Sequence, residues 1–79
     1  MGTKLIPGIF DCYANAEPDE PMFILLARDA QASTLVRRWA YLRAASISAG
    51  LKPETDRAMV EEALECADAM DKWRTENRS

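Results

Sequence analysis

The chain has 79 residues, 48% of them hydrophobic, and a formal net charge of −3. A chain of this length forms one domain at most and buries only about 60% of the surface that its unfolded form exposes, so its core is marginal. A pI near 4.8 argues against binding to a nucleic-acid duplex, which requires a broad cationic surface. No apolar run reaches the length of a membrane span.

Small domains usually gain extra stability from disulfides, a metal ion or a partner subunit. The chain has two cysteines, Cys12 and Cys66, and no signal peptide is evident before them. We therefore interpret both as reduced, buried side chains of a cytoplasmic protein. The absence of histidine argues against a metal site, and no cofactor is expected. We are left with self-association, and we predict a homo-oligomer, either a dimer or a higher assembly.

The charges are unevenly distributed along the chain. Residues 1–27 carry one base against four acids, residues 28–52 five bases against one acid, and residues 53–79 four bases against eight acids. This pattern predicts that the basic middle element packs against an acidic element, within one chain or between two chains. The alternative is a set of solvated helix faces.

Residues 1–20 show no sustained periodicity and are predicted to form an irregular N-terminal arm. Asp11 can cap a single helical turn that runs through Asn15. We expect Phe10 and Tyr13 to pin this arm to the helices.

A short helix is predicted over residues 21–29, with Pro21 as its first residue because the residue before a proline disfavours the helical conformation. Its apolar run of five residues has no polar face, which indicates burial on more than one side. Asp29 is predicted to cap a second helix. One continuous helix over residues 21–49 is the competing interpretation, and we favour the break.

The second helix is predicted over residues 30–49, with Gly50 as the residue that ends it. Its apolar stripe has alternating spacings of four and three residues and consists of Leu35, Trp39, Leu42, Ser46 and Ala49, widened by Val36, Ala40 and Ile47. The third helix is predicted over residues 54–74, followed by a frayed tail at residues 75–79. Its stripe consists of Met59, Ala63, Cys66, Met70 and Trp73, with Val60 and Ala67 beside them.

The short loop after Gly50 makes the second and third helices antiparallel neighbours. The sequence thus predicts an all-α fold, in which a short helix packs on an antiparallel helical hairpin within a single small domain. Each long helix spans about 30 Å, so the short helix cannot cover the whole hairpin. Apolar surface that includes a tryptophan is expected to remain for a second copy of the chain.

Nothing in the sequence indicates catalysis. Carboxylates at predicted helix starts are usually caps, and Cys12 has no histidine to activate it. Binding is better supported, because arginine suits phosphate or carboxylate contacts and aromatic rings can stack on a base. The candidate ligand-binding residues are Arg28, Arg37, Tyr13, Arg38 and Trp39. The alternatives are a salt-bridged face for the arginines and plain core for both tryptophans.

The chain resembles a family of small phage and prophage proteins of unknown function across about residues 10–74. The resemblance is carried by Cys12-Tyr13, the Pro18-Asp19-Glu20-Pro21 series, Leu26-Ala27-Arg28-Asp29, Trp39-Ala40 and the segment from Ala69-Met70 to Trp73-Arg74. One departure is Ala30, where similar proteins have proline, and this weakens the enforced break after Asp29.

Small phage accessory proteins often act against host defence, so the resemblance implies a counter-defence protein in the cytoplasm of a bacterial host. Our first hypothesis is an oligomeric binder that sequesters a small nucleotide signal. The second is a protein-interaction module or inhibitor that docks a host protein through its helical surface. Arginines that converge in a pocket favour the first hypothesis, and an exposed acidic or apolar patch favours the second.

Overall fold

The fold is all-α, and two long antiparallel helices form its frame. A computed structural model describes residues 1–8, 10 and 12–77. Helix α1 spans Cys12–Asn15, α2 spans Ala32–Ser48 and α3 spans Arg57–Asn77, with a 3₁₀ turn at Glu54–Asp56 before α3. The predicted antiparallel hairpin is confirmed, and the described residues contain no strand.

The end of α2 and the start of the hairpin loop are determined by Gly50. Gly50 has φ of +78°, a left-handed conformation that favours glycine. The Gly50 amide donates a hydrogen bond to the Ile47 carbonyl and the Leu51 amide donates to the Ser46 carbonyl, at 3.0 and 2.9 Å. This pair of bonds is a Schellman motif, which satisfies the last carbonyls of α2. The prediction that Gly50 ends the second helix is confirmed.

The interface between α2 and α3 has a core of small side chains. The buried apolar residues are Ala32, Ala40, Ile47, Val60, Ala63 and Ala67. Because most of them are alanines, the two helices approach closely and bury little apolar area. The second helix was predicted to face inward through Leu35, Trp39 and Leu42, and that prediction is wrong. All three are exposed, and the residues that were expected only to widen the stripe form the core instead.

Ion pairs join α2 to α3 near both ends of the hairpin. Arg43 Nη1 lies 2.9 Å from Asp56 Oδ2 near the loop. Arg37 Nη2 lies 2.8 Å from both Asp68 Oδ1 and Asp71 Oδ2 at the far end. The predicted packing of the basic element against an acidic one is therefore confirmed, and it occurs within the chain.

The predicted helix over residues 21–29 is absent, because residues 21–26 have no regular structure and residues 27–31 form turns. An isolated helix of nine residues is marginal without one apolar face to pack. This segment is apolar on every side, and only Leu25 and Ala27 within it are partly buried. The competing interpretation of one continuous helix over residues 21–49 is also wrong, because α2 begins at Ala32.

Acidic side chains in this region stabilise turns rather than helix starts. Asp29 Oδ1 accepts a hydrogen bond from the Gln31 amide at 2.9 Å. The residue at the N-cap of α2 is Gln31, without a side-chain cap, so the prediction that Asp29 caps this helix is wrong. Glu20 Oε1 accepts from the Glu17 amide at 3.1 Å and so stabilises a turn that contains Pro18.

The ends of the chain also differ from expectation. Helix α3 continues to Asn77, so the predicted fraying is wrong for residues 75–77, and residues 78–79 lie outside the described residues. Asn77 Nδ2 donates to the Trp73 carbonyl at 2.9 Å and Thr75 Oγ1 donates to the Asp71 carbonyl at 3.0 Å. Both are side-chain bonds to the carbonyl four residues earlier, within the last two turns of α3.

The N-terminal arm is held to the hairpin by its first residue. Met1 packs against the core, and its ammonium group lies 2.9 Å from Glu62 Oε1. Tyr13, which was expected to pin the arm, is 71% exposed, whereas Phe10 is partly buried. The helical turn expected from Asp11 is present as α1, but Asp11 itself lies outside the described residues.

Candidate functional site

A groove of about 660 Å³ runs between α3 and the chain that precedes the hairpin. One wall is α3, and the other walls are the N-terminal arm and the segment over residues 25–28. Its lining residues are Gly2, Thr3, Lys4, Leu25, Leu26, Ala27, Arg28, Cys66, Ala69, Met70 and Trp73. The α3 members recur at helical spacing, so they form one face of that helix beside the buried line of Val60, Ala63 and Ala67.

The groove combines an apolar surface with two cations and one aromatic ring. Lys4 and Arg28 are both exposed, and within the described part of the chain neither makes an ion pair. Trp73 is 49% exposed, so its ring is accessible from the groove. An apolar cleft with a few polar groups at its edge is typical of a small-molecule site.

Cys66 contributes a thiol of low reactivity to this groove. Burial raises the pKa of the Cys66 thiol, the N-terminal ammonium lowers it by less, and the Glu62 carboxylate makes the smallest contribution, which raises it. Because the thiolate is the reactive form, this thiol is a weak nucleophile at neutral pH. Cys66 is therefore better placed to report on occupancy of the groove than to perform chemistry.

The predicted site residues do not lie together. Arg28 lines the groove, whereas Arg37, Arg38 and Trp39 belong to α2 and line no part of it. Tyr13 lies on α1 and likewise is not among the groove residues.

Arg37 already has carboxylate partners. Its guanidinium donates a hydrogen bond to Asp68 at 2.8 Å and pairs with Asp71, and the pKa of Arg37 is raised, first by the bond to Asp68. Ser33 Oγ, which is buried, donates to Asp71 Oδ1 at 2.5 Å. The pKa of Asp71 is lowered, first by the Ser33 hydrogen bond and then by Arg37. This polar cluster links the two helices, and a ligand would have to displace a carboxylate to reach Arg37.

Arg38 and Trp39 lie in different surroundings on α2. A shallow cavity of about 490 Å³ is lined by Thr34, Arg37, Arg38, Tyr41 and Leu42, all from this one helix. The Arg43 guanidinium lies over the Trp39 ring at 5.1 Å from its centroid, a cation–π contact that covers one ring face. A cavity built from a single helix is a surface depression and not an enclosed site.

Of the eleven lining residues, only Arg28 was among the candidate ligand-binding residues, and Lys4 and Met70 are two that were not. Met70 was assigned to the core because it falls on the apolar stripe of α3. Lys4 is the one basic residue in residues 1–27, which contain four acids. This was the only feature of the sequence that could have indicated a role for Lys4.

The described residues contain no group of three or more histidine, cysteine or acidic side chains that could hold a metal ion. Among the described helices, none is both long and apolar enough to cross a membrane. Comparison of the chain with protein-family models, with curated proteins and with solved structures gives no match. Any assignment of function therefore depends on the geometry of the groove and of the helix surfaces.

Proposed function

We propose that this protein is a non-enzymatic, oligomeric binder that sequesters a small nucleotide in the groove beside α3. The observation that carries the proposal is that Lys4, Arg28 and Trp73 line one groove of about 660 Å³. Binding pockets for small molecules commonly have volumes of about 300–1,000 Å³. The groove therefore has the right size for a mononucleotide or a small cyclic nucleotide.

The residue types fit the two parts of a nucleotide. Arg28 can donate two parallel hydrogen bonds to one phosphate, and Lys4 adds a second positive charge. The exposed Trp73 ring and the apolar wall offer a stacking surface for a base, which is worth about 1–3 kcal/mol per base. No described carboxylate lines the groove, so an anionic ligand meets no repulsive lining group.

The phage-protein resemblance supplies the biological setting of the proposal. Sequestration of a nucleotide signal in the cytoplasm of a bacterial host would counter a defence system that uses such a signal. Sequestration requires affinity and no chemistry, which agrees with the protonated thiol of Cys66.

Calorimetry and thermal shift with a panel of linear and cyclic nucleotides test the proposal. A ligand at 100 times its Kd should stabilise the chain by about 2.7 kcal/mol, which raises the melting temperature. Arg28→Ala should weaken binding by about 10-fold or more, because a charge-assisted hydrogen bond contributes about 1.5–3 kcal/mol. Arg38→Ala is the matched control, since it removes an exposed arginine that lies outside the groove. A flat response across the panel would contradict the proposal.

Alkylation of Cys66 gives an independent measure of where the ligand binds. Because Cys66 lines the groove, a bound nucleotide should slow its reaction with iodoacetamide in a Cys12→Ser chain. Trp73→Leu should weaken both binding and protection, whereas Trp39→Leu should leave them unchanged. Binding without protection of Cys66 would place the ligand elsewhere.

A second function is favoured by the outer surface of α3. Glu61 and Glu65 lie one helical turn apart and are exposed, and Asp68, which pairs with Arg37, continues the line. This acidic line suits an inhibitor that docks a basic patch of a host protein through its helical surface. In a pull-down from bacterial lysate, a stoichiometric partner should be recovered by the native chain and lost with Glu61→Lys/Glu65→Lys. If no stoichiometric partner were recovered, this second function would be contradicted.

A further inference from the structure

Helix α2 has a second apolar face, on which Leu35, Trp39 and Leu42 remain exposed in the described part of the chain. We define the outer stripe as Leu35, Trp39, Leu42, Ser46 and Ala49, which follow one another at spacings of four and three residues. Leu42 is 60% exposed and Leu35 46% exposed, whereas Ala40 and Ile47 on the inner face are buried against α3. An apolar stripe with a strict seven-residue repeat is the pattern with which helices pack against other helices.

The exposed area of the chain is larger than that of a compact monomer of the same mass. A compact monomer of 8.9 kDa exposes about 4,800 Å² by the usual scaling with mass. This chain exposes 6419 Å². The excess of about 1,600 Å² is shared between the outer stripe and the exposed side chains of residues 1–31. The outer stripe therefore needs to supply only part of it to reach the roughly 800 Å² that each partner contributes to an interface of standard size.

The order of side chains along the outer stripe indicates which partner fits. The bulky residues, Leu35 and Trp39, lie before Leu42, and the small residues, Ser46 and Ala49, lie after it. If two copies of α2 pack antiparallel about an axis through Leu42, Leu35 of one copy lies opposite Ala49 of the other. Trp39 then lies over the small residues around Ser46. Large groups meet small ones at both ends, so the stripe is complementary to itself, as a two-fold interface requires.

The charges on α2 permit the same arrangement. Helix α2 contains three arginines and no acid, but Arg37 and Arg43 are already paired with aspartates of their own chain. Arg38 would lie opposite Ser46 of the second copy. The two Arg38 positions would be eight residues apart along the axis, or about 12 Å, beyond the screening length of about 8 Å at physiological salt.

The geometry points to a homodimer in which the outer stripe of α2 packs antiparallel against the same stripe of a second copy, with Leu42 on the two-fold axis. This assigns an interface to the oligomer of the proposed function. It does not use the groove, so the mass measurements below and the nucleotide assays above succeed or fail separately.

Sedimentation equilibrium on the purified chain tests the interface. At tens of micromolar, the native chain should have twice its monomer mass of 8.9 kDa. Leu42→Asp places two carboxylates against each other at the axis and should return the mass to that of the monomer. Leu51→Asp is the matched control, because Leu51 is 77% exposed and lies beyond the stripe. Its mass should remain that of the dimer, and circular dichroism should show both variants to be helical.

Disulfide trapping tests the same axis without a destabilising charge. In a chain with Cys12→Ser and Cys66→Ser, the substitution Leu42→Cys should give a covalent dimer on mild oxidation. Leu51→Cys should not, because antiparallel packing about Leu42 separates the two Leu51 positions by about 27 Å, far beyond the Cα distance of about 4.4–6.8 Å that a disulfide spans.

Three results would overturn the proposal. One is a native chain at monomer mass throughout the micromolar range, which would assign the outer stripe to a different protein. Another is an oligomer that Leu42→Asp does not dissociate while remaining helical. The third is equal trapping at Leu42→Cys and Leu51→Cys. If Leu42→Asp unfolds the chain, the disulfide-trapping experiment alone tests whether Leu42 lies on the two-fold axis.

Discussion

The hairpin over residues 32–77 and the segment over residues 1–31 use apolar residues in opposite ways. Among the residues that the structure describes, all the buried ones belong to the hairpin, and most of them are alanines. The preceding segment holds bulky side chains such as Leu5, Ile6 and Phe23, and these are exposed. Helical packing therefore places small residues inside the hairpin, while large apolar residues remain exposed in residues 1–31 and on the outer side of α2.

This difference shows that the folded chain is thinly packed for its apolar content. No large side chain is fully buried among the described residues, so Ile47 and Val60 supply most of the apolar volume of the core. A core of alanines allows close helix approach but contributes little hydrophobic free energy, at about 25 cal/mol per Å². The hairpin is consequently sensitive to loss of any one larger core residue, and residues 1–31 should not be.

The largest expected effect is at Ile47. Ile47→Ala should lower the free energy of unfolding by about 3 kcal/mol, because it removes buried methyl groups and leaves a cavity between α2 and α3. A small domain has only about 3–5 kcal/mol of stability from its core, so this variant should be largely unfolded at moderate urea. Urea titration followed by circular dichroism measures the change.

Leu51→Ala is the control for Ile47→Ala. It removes an exposed leucine at the end of the same hairpin, and its free energy of unfolding should stay within about 0.5 kcal/mol of the native value. Equal losses in the two variants would contradict the assignment of the core to the interface between α2 and α3.

A smaller effect is expected from the polar cluster that links the far end of the hairpin. The pKa of Asp71 is lowered in the folded chain by Ser33 and Arg37, so its carboxylate stabilises the fold above the unfolded pKa of about 4. That contribution is lost as the pH falls through the lowered folded pKa. The urea midpoint should therefore fall as the pH is taken from about 5 to 3.

Asp71→Asn should have a lower urea midpoint at pH 7 and a flatter dependence on pH below 5. Asp19→Asn changes the same chemical group in the exposed N-terminal segment and should keep the native dependence. If Asp71→Asn retained the full acid transition, other carboxylates would be responsible for it.

The features that the sequence predicted correctly depend on local rules. The two long helices, the antiparallel hairpin and the role of Gly50 follow from periodicity, helix-ending chemistry and a short loop. The ion pairs between helices were predicted from segment charge, but not which acid each arginine contacts, because partners depend on the register of α2 against α3.

The errors arose where apolar residues offered more than one face. The stripe of α2 through Leu35 and Leu42 has a cleaner seven-residue repeat than the true inner face through Ala40 and Ile47, so periodicity favoured the wrong side. Residues 21–29 satisfied the rules for a helix start at Pro21 but had no single face to bury. Likewise, the groove required the arm and α3 to meet, and nothing local to Lys4 or Trp73 indicated that contact.

The smallest effect is expected at Phe23, in the segment where the predicted helix is absent. Phe23 is 85% exposed, so Phe23→Ser should change the free energy of unfolding by no more than about 0.5 kcal/mol. Because backbone without regular structure is the preferred site of proteolysis, limited chymotrypsin should cut the native chain after Phe23 before it cuts within α2 or α3. Mass spectrometry of the first fragments identifies the site. A loss of stability comparable to that of Ile47→Ala, or first cleavage within the hairpin, would mean that residues 1–31 share the core and that the contrast between the two regions is wrong.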